Sequence, residues 1–141
     1  MADLTITAAN ITPGSVTGMS VLKTSGTAGA TITAGQAVYI DASDSNKIKL
    51  ADADASSTAA AAVGISLHAA LSGQPIQYIT SGPLNFGAIL TTGTYYVVSS
   101  TAGGICPTAD LSVGEYSTLL MYAYSTSVGI VMPTATGVAI A

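Results

Sequence analysis

Apolar and hydroxyl residues alternate along most of this chain, and a helical period is almost nowhere sustained. Leu4-Thr5-Ile6-Thr7 alternates, Pro13-Gly14 interrupts, and Val16 to Leu22 alternates again before the turn-prone Thr24-Ser25-Gly26-Thr27-Ala28-Gly29. A period of two places one apolar row on one face of an extended strand. Thr33-Ala34-Gly35-Gln36 turns the chain into a strand over 37–41. Ser43-Asp44-Ser45-Asn46 turns it back into 47–51, where Ile48 and Leu50 share a face, so a hairpin is predicted. The Ala-rich stretch 52–62, which opens on Asp and Ser, predicts one short helical turn, and 63–67 returns to strand. Further strands are predicted over 75–80, 84–89, 94–99, 117–124 and 128–132. Turns between them fall at Ser72-Gly73, Ser81-Gly82-Pro83, Thr92-Gly93, Ala102-Gly103-Gly104 and Val113-Gly114. Pro75, Pro83, Pro107 and Pro133 then lie at strand ends, where a missing N–H is tolerated.

Short strands at about 8–12-residue spacing with glycine-rich turns predict an all-β fold. Its expected form is a compact β-barrel or β-sandwich of short antiparallel strands with an extended N-terminal arm. The arm covers residues 1–29 and is so poor in large apolar side chains that a neighbour can supply its packing. Residues 30–141 make the β-rich domain, a size typical of one core.

Charge changes the picture most. Asp, Glu, Lys and Arg make up 7% of the chain, against about 25% in ordinary soluble domains. None occurs from Ala55 to Ala109 or from Tyr116 to Ala141. With three lysines, no arginine and a net charge of −4, the chain lacks the cations that neutralise nucleic-acid phosphates or meet an anionic membrane. Mean hydropathy is +0.57, yet Ser, Thr, Gly, Gln or Pro breaks every apolar run before the roughly 18–20 residues of a spanning helix. Met1-Ala2-Asp3-Leu4 has neither the basic nor the apolar part of a secretory signal, and Cys106 has no second cysteine to pair with. A protein made in the cytoplasm is expected. Small hydroxyl side chains lose little entropy on docking, whereas an immobilised Lys or Arg costs up to about 2 kcal/mol. The composition suits a structural or binding module.

Chemical readings find little to build on. His68 is the one histidine, and Gly64-Ile65-Ser66-Leu67-His68 lacks the second glycine of a nucleophile elbow. A hydrogen-bonded structural role is expected for it. Cys106, between Ile105 and Pro107, has no basic neighbour to activate it and reads as a small buried apolar residue. Asp41, Asp44, Asp52 and Asp54, with Asn46, are dense enough in oxygen to suggest a cation such as Ca²⁺. Positions 41, 44 and 46 do not give the alternation of a calcium loop, and turn and cap chemistry accounts for these residues without metal. The sequence leaves a bound cation there open. Asp110 and Glu115 stand apart from other carboxylates, and no phosphate-binding glycine motif occurs. No catalytic, cofactor-binding or metal-binding residue is assigned, and no enzyme is expected. Tyr95-Tyr96 and the Tyr122/Tyr124 pair fit either a carbohydrate-binding face or a core or subunit interface, and the scarcity of Trp and Phe favours the latter.

Three blocks carry a resemblance. Ala34-Gly35-Gln36-Ala37-Val38-Tyr39-Ile40-Asp41 is the first. The second joins Ala62-Val63-Gly64-Ile65-Ser66-Leu67 to Gly73-Gln74-Pro75-Ile76, and the third joins Thr94-Tyr95-Tyr96-Val97-Val98-Ser99 to Gly103-Gly104-Ile105-Cys106-Pro107. Over about Thr31–Pro133 the chain resembles the capsid decoration, or cement, proteins of tailed bacteriophages. The resemblance implies a homotrimer on the outer surface of the virion head, at or near threefold positions, cementing neighbouring major capsid protein subunits. It implies no catalytic residues, and an N-terminal arm that reaches a neighbouring subunit or the shell. Similar β-modules occur in phage tail fibres and spikes, where the role would be receptor or glycan binding.

Overall fold

The computed structural model describes residues 3–140. The fold is all-β, with ten strands among the described residues. They are β1 (Thr12–Pro13), β2 (Leu22–Thr27), β3 (Ala37–Asp41), β4 (Lys47–Leu50), β5 (Gly64–Ser66), β6 (Pro75–Asn85), β7 (Tyr95–Val98), β8 (Ile105–Pro107), β9 (Tyr116–Ala123) and β10 (Val128–Ala139). All belong to one antiparallel sheet, ordered β4-β3-β5-β6-β10-β9-β7-β8, with β1 and β2 also on β6. The sheet curls into a half-barrel.

β6 is the spine of this arrangement. Over its first half it pairs with β2 on one side, from Thr27 opposite Pro75 to Leu22 opposite Ser81, and with β5 on the other, Ile65 opposite Ile79. Over its second half those partners give way to β10 and β1, with Val131 opposite Gly82 and Pro13 opposite Leu84. The hand-over occurs at Gly82, whose φ of +106° bends the strand in a way only glycine tolerates cheaply. A Cβ there would stand 2.2 Å from the Ser20 carbonyl oxygen. Ser81-Gly82-Pro83 is therefore a bend within one eleven-residue strand, not the predicted turn between two, and 86–89 lies outside any strand.

Alternation on β3 and β6 feeds two cores, one on each face. Ala37 and Ile79 point into a large cluster with Ile65, Phe86, Leu120 and Met121, while Val38, Ile76 and Tyr78 join Ile32 and Ile48 in a smaller one. Each fully buried Leu, Ile, Phe or Met in these clusters contributes about 1.5–3 kcal/mol relative to exposure. The helical turn predicted within 52–62 is α1 (Ser57–Ala60), where the Ser56 hydroxyl caps the Ala59 N–H at 3.0 Å. β10 runs well beyond the expected end at 132, passing Pro133 through a register shift after Val131. β8, not among the predicted strands, pairs with β7.

The N-terminal segment is extended and lies on the chain's own sheet. Leu4 donates its N–H to the Ile105 carbonyl at 2.8 Å, Ile11 is buried, and β1 and β2 both pair with β6. Ala28, fully buried and just after β2, meets Ile48 of the edge strand β4 in a parallel bridge, bringing β2 round against β4.

Candidate functional site

The residues with most chemical potential fall in separate places. His68 lies exposed in the connection after β5. Its Nδ1 is 2.9 Å from the Ala69 carbonyl oxygen and its Nε2 accepts the Gln77 N–H at 3.1 Å. Those contacts match the tautomer with the proton on Nδ1, and both ring nitrogens are engaged by backbone. Cys106 is buried in β8, and its thiol is pushed up to about 12, by burial first and then by the carboxylates of Asp3, Asp110 and Glu115. Such a thiol carries almost no thiolate at neutral pH and is a poor nucleophile. Among the described residues neither Asp110 oxygen has a hydrogen-bond partner.

The acidic residues divide into two pairs. Asp41 and Asp44 converge on the Lys49 ammonium, at 2.8 and 2.9 Å, so a side-chain cation sits where a metal would have to bind. Asp41 also accepts the Ser43 N–H and hydroxyl, closing the turn between β3 and β4. Its carboxyl is held down to about 2, first by the Lys49 hydrogen bond and then by Ser43. Lys49 is raised reciprocally by Asp41 and Asp44. Asp52 accepts the Asp54 N–H at 3.1 Å in the turn before α1, and its carboxyl is raised, chiefly by burial. Among the described residues no three His, Cys, Asp or Glu side chains cluster as metal ligands.

Buried hydroxyls, which the sequence does not single out, do structural work. Ser66, fully buried, donates to the Thr33 carbonyl at 2.5 Å and accepts the Gln36 N–H at 3.0 Å, pinning the turn before β3 to β5. Thr118 donates to the Ala60 carbonyl and anchors α1 to β9. Nothing in their local sequence separates these two from the many surface serines and threonines. A cavity of about 230 Å³ lies between the N-terminal segment and the loops around Gly35 and Gly103, and its carboxylate, Asp3, is engaged by the Ser99 hydroxyl.

The tyrosines split by strand alternation. Tyr78 and Tyr96 are core residues, and the Tyr96 hydroxyl accepts the Thr91 N–H at 3.0 Å. Tyr95 and Tyr124 point outward, about half exposed, with Tyr122 half-buried between them. Tyr95 and Tyr122 are cross-strand neighbours, ring centroids 5.0 Å apart and planes tilted by 52°. The surface that remains is defined by neutrality: strands β5 to β10 carry no Asp, Glu, Lys or Arg. No helix among the described residues is long and apolar enough to cross a membrane. Comparisons with protein-family models, curated proteins and solved structures found no match.

Proposed function

We propose that the chain is a non-enzymatic structural protein of a tailed-phage virion, binding the outer surface of the capsid as a homotrimer and cementing adjacent major capsid protein subunits. The observation that carries this reading is a set of exposed strands with almost no charge. The outer part of β10, Thr134–Ala139, is exposed on both faces and paired only with β9. β2, whose one ionisable residue is Lys23, is exposed along nearly its whole length. Open strand edges offer rows of N–H and C=O groups to a neighbour. Neutral side chains beside them avoid the desolvation cost that charges would impose. Exposed edges of this kind suit assembly with neighbours, and His68 and Cys106 are engaged by backbone or buried. Three linked footholds per trimer would gain from effective concentration, each of about 800 Å² if of standard size.

Copy number tests the reading. Particles carrying this protein are purified, and its peptides are quantified against those of the major capsid protein. A ratio within about a factor of three of one to one is expected for a lattice of threefold sites. A few copies per hundred would overturn cementing and place the chain in a tail fibre or spike.

A further inference from the structure

Antiparallel register lines up one outward row across three strands. Tyr95 of β7 stands opposite Tyr122 of β9, which stands opposite Ile130 of β10. One step along the same face, Tyr124 follows Tyr122 beyond the end of β9, beside Val128, with Asn85 of β6 opposite Val128. Ala123 and Gly129, between these positions, face the core, which confirms the alternation. The face so formed is aromatic, edged with polar tips and without charge.

Two further facts narrow what it fits. Among the described residues none of the hydroxyls of Tyr95, Tyr122 and Tyr124 is hydrogen-bonded within the chain, unlike that of buried Tyr96. The patch is also small. Tyr95 is 49% and Tyr124 53% exposed; of the other exposed large apolar residues, Leu71 and Val113 lie on different elements and Val138 lies at the far end of β10 from Ile130. Half-exposed rings of 150–250 Å² each present roughly 300 Å² in all, well below the ~800 Å² per partner of a stable protein interface. A ligand of smaller footprint suits it. Without Lys or Arg on these strands, nothing meets a phosphate, sulfate or uronate. A neutral sugar offers what does match, an apolar C–H face to lie on a ring and a rim of hydroxyls to reach the phenols and the Asn85 amide nitrogen, the Asn85 oxygen being engaged by the Gly87 N–H at 2.8 Å. Tyr122 and Tyr124 are about 6.8 Å apart along the strand, enough for a track longer than one sugar unit.

We infer that this outward face is a binding site for a neutral oligosaccharide, seated on Tyr95, Tyr122 and Tyr124. The inference is independent of capsid binding. Its test uses the full chain, titrated by calorimetry with neutral hexasaccharides of glucose, mannose, galactose and N-acetylglucosamine. Tyrosine fluorescence gives a second readout, since the chain has no Trp. At least one sugar binds saturably. Tyr95→Ala and Tyr124→Ala each weaken that binding roughly three- to tenfold, the scale of one aromatic contact. Tyr78→Phe, in the core, leaves it unchanged. Absence of saturation by every sugar up to about 10 mM, a Kd range in which even weak sites register, overturns the assignment. So does undiminished binding by a folded Tyr95→Ala/Tyr124→Ala double variant. If that variant instead splits an oligomer seen by sedimentation, the face is a contact between copies and the saccharide site is refuted.

Discussion

Three glycines allow backbone strain and steric collision to be measured separately. Gly73, in the turn before β6, has φ +90° and open space where a Cβ would stand, with no atom within 4 Å. Gly64, in β5, has no positive φ, but a Cβ would lie 2.1 Å from the Ile79 carbonyl oxygen. Gly82 combines both conditions, φ +106° and an approach of 2.2 Å to the Ser20 carbonyl. Replacing any of them by Ala removes unfolded-state freedom worth about 0.4–1 kcal/mol, a gain common to the series. Left-handed backbone costs Ala about 1–2 kcal/mol, so Gly73→Ala should destabilise by about 1 kcal/mol or less. At Gly64 the obstacle is a backbone oxygen in a strand paired on both sides, so β5 and β6 must separate. Overpacking of that kind costs about 1–3 kcal/mol and more where backbone is displaced, and Gly64→Ala should lose about 3. Gly82→Ala should lose about 4, a large share of the roughly 5–15 kcal/mol that stabilises a domain. Urea unfolding followed by far-UV circular dichroism and tyrosine fluorescence gives each value, provided the m-value stays constant. Equal losses at Gly73 and Gly82, or a Gly64→Ala protein within about 0.5 kcal/mol of the parent, would refute the reasoning.

Other expectations follow from single contacts. Asp41 is depressed in the folded state, so its contribution to stability is fully present above the ordinary carboxylate value of 3.8 and is lost as pH falls towards about 2. Acid titration of stability should show this step, and Lys49→Met should flatten it. The Cys106 thiol, pushed up to about 12 and buried, should react with a disulfide reagent at pH 8 at least about a hundredfold more slowly in the native protein than in urea. Thr118→Val keeps the shape of the side chain but removes one of two donors to the Ala60 carbonyl, which retains the Ala62 N–H, at a cost of about 0.5–1.5 kcal/mol read by the same urea titration.

How far the fold is legible in the sequence follows from which contacts set each element. The 37–41 and 47–51 hairpin is legible nearly to its ends, because its turn chemistry and alternation are local, and Asp41 caps the turn between its strands. The stretch 52–62 predicts one short helical turn, which forms at Ser57–Ala60. Ala-rich composition favours helix everywhere along it, while the Asp52 turn and the backbone at Ala61 confine α1 to four residues. Gly82-Pro83 predicts a turn because that pair ordinarily ends a strand. It bends one here because β10 and β1 take up pairing where β2 and β5 leave off. The ionic partnership of Asp41, Asp44 and Lys49 joins residues close in sequence, yet the carboxylates alone suggest a cation from solution. Tyr95 and Tyr96 are adjacent, and no composition says which faces out.

The sequence by itself determined the class of the molecule. A period of two, glycine at the turns and the loss of nearly all charge suffice for an all-β domain with a neutral surface, because each acts within a few residues. The tertiary structure decided which strands are neighbours, where β6 bends, that 3–29 lies along its own sheet, and which tyrosines share an outward row. Those depend on pairing between residues far apart in the chain, and a shift of register by one residue would turn every side chain of a strand to the other face. The period that reveals a strand is the same for both faces, so only its neighbours can choose between core and surface.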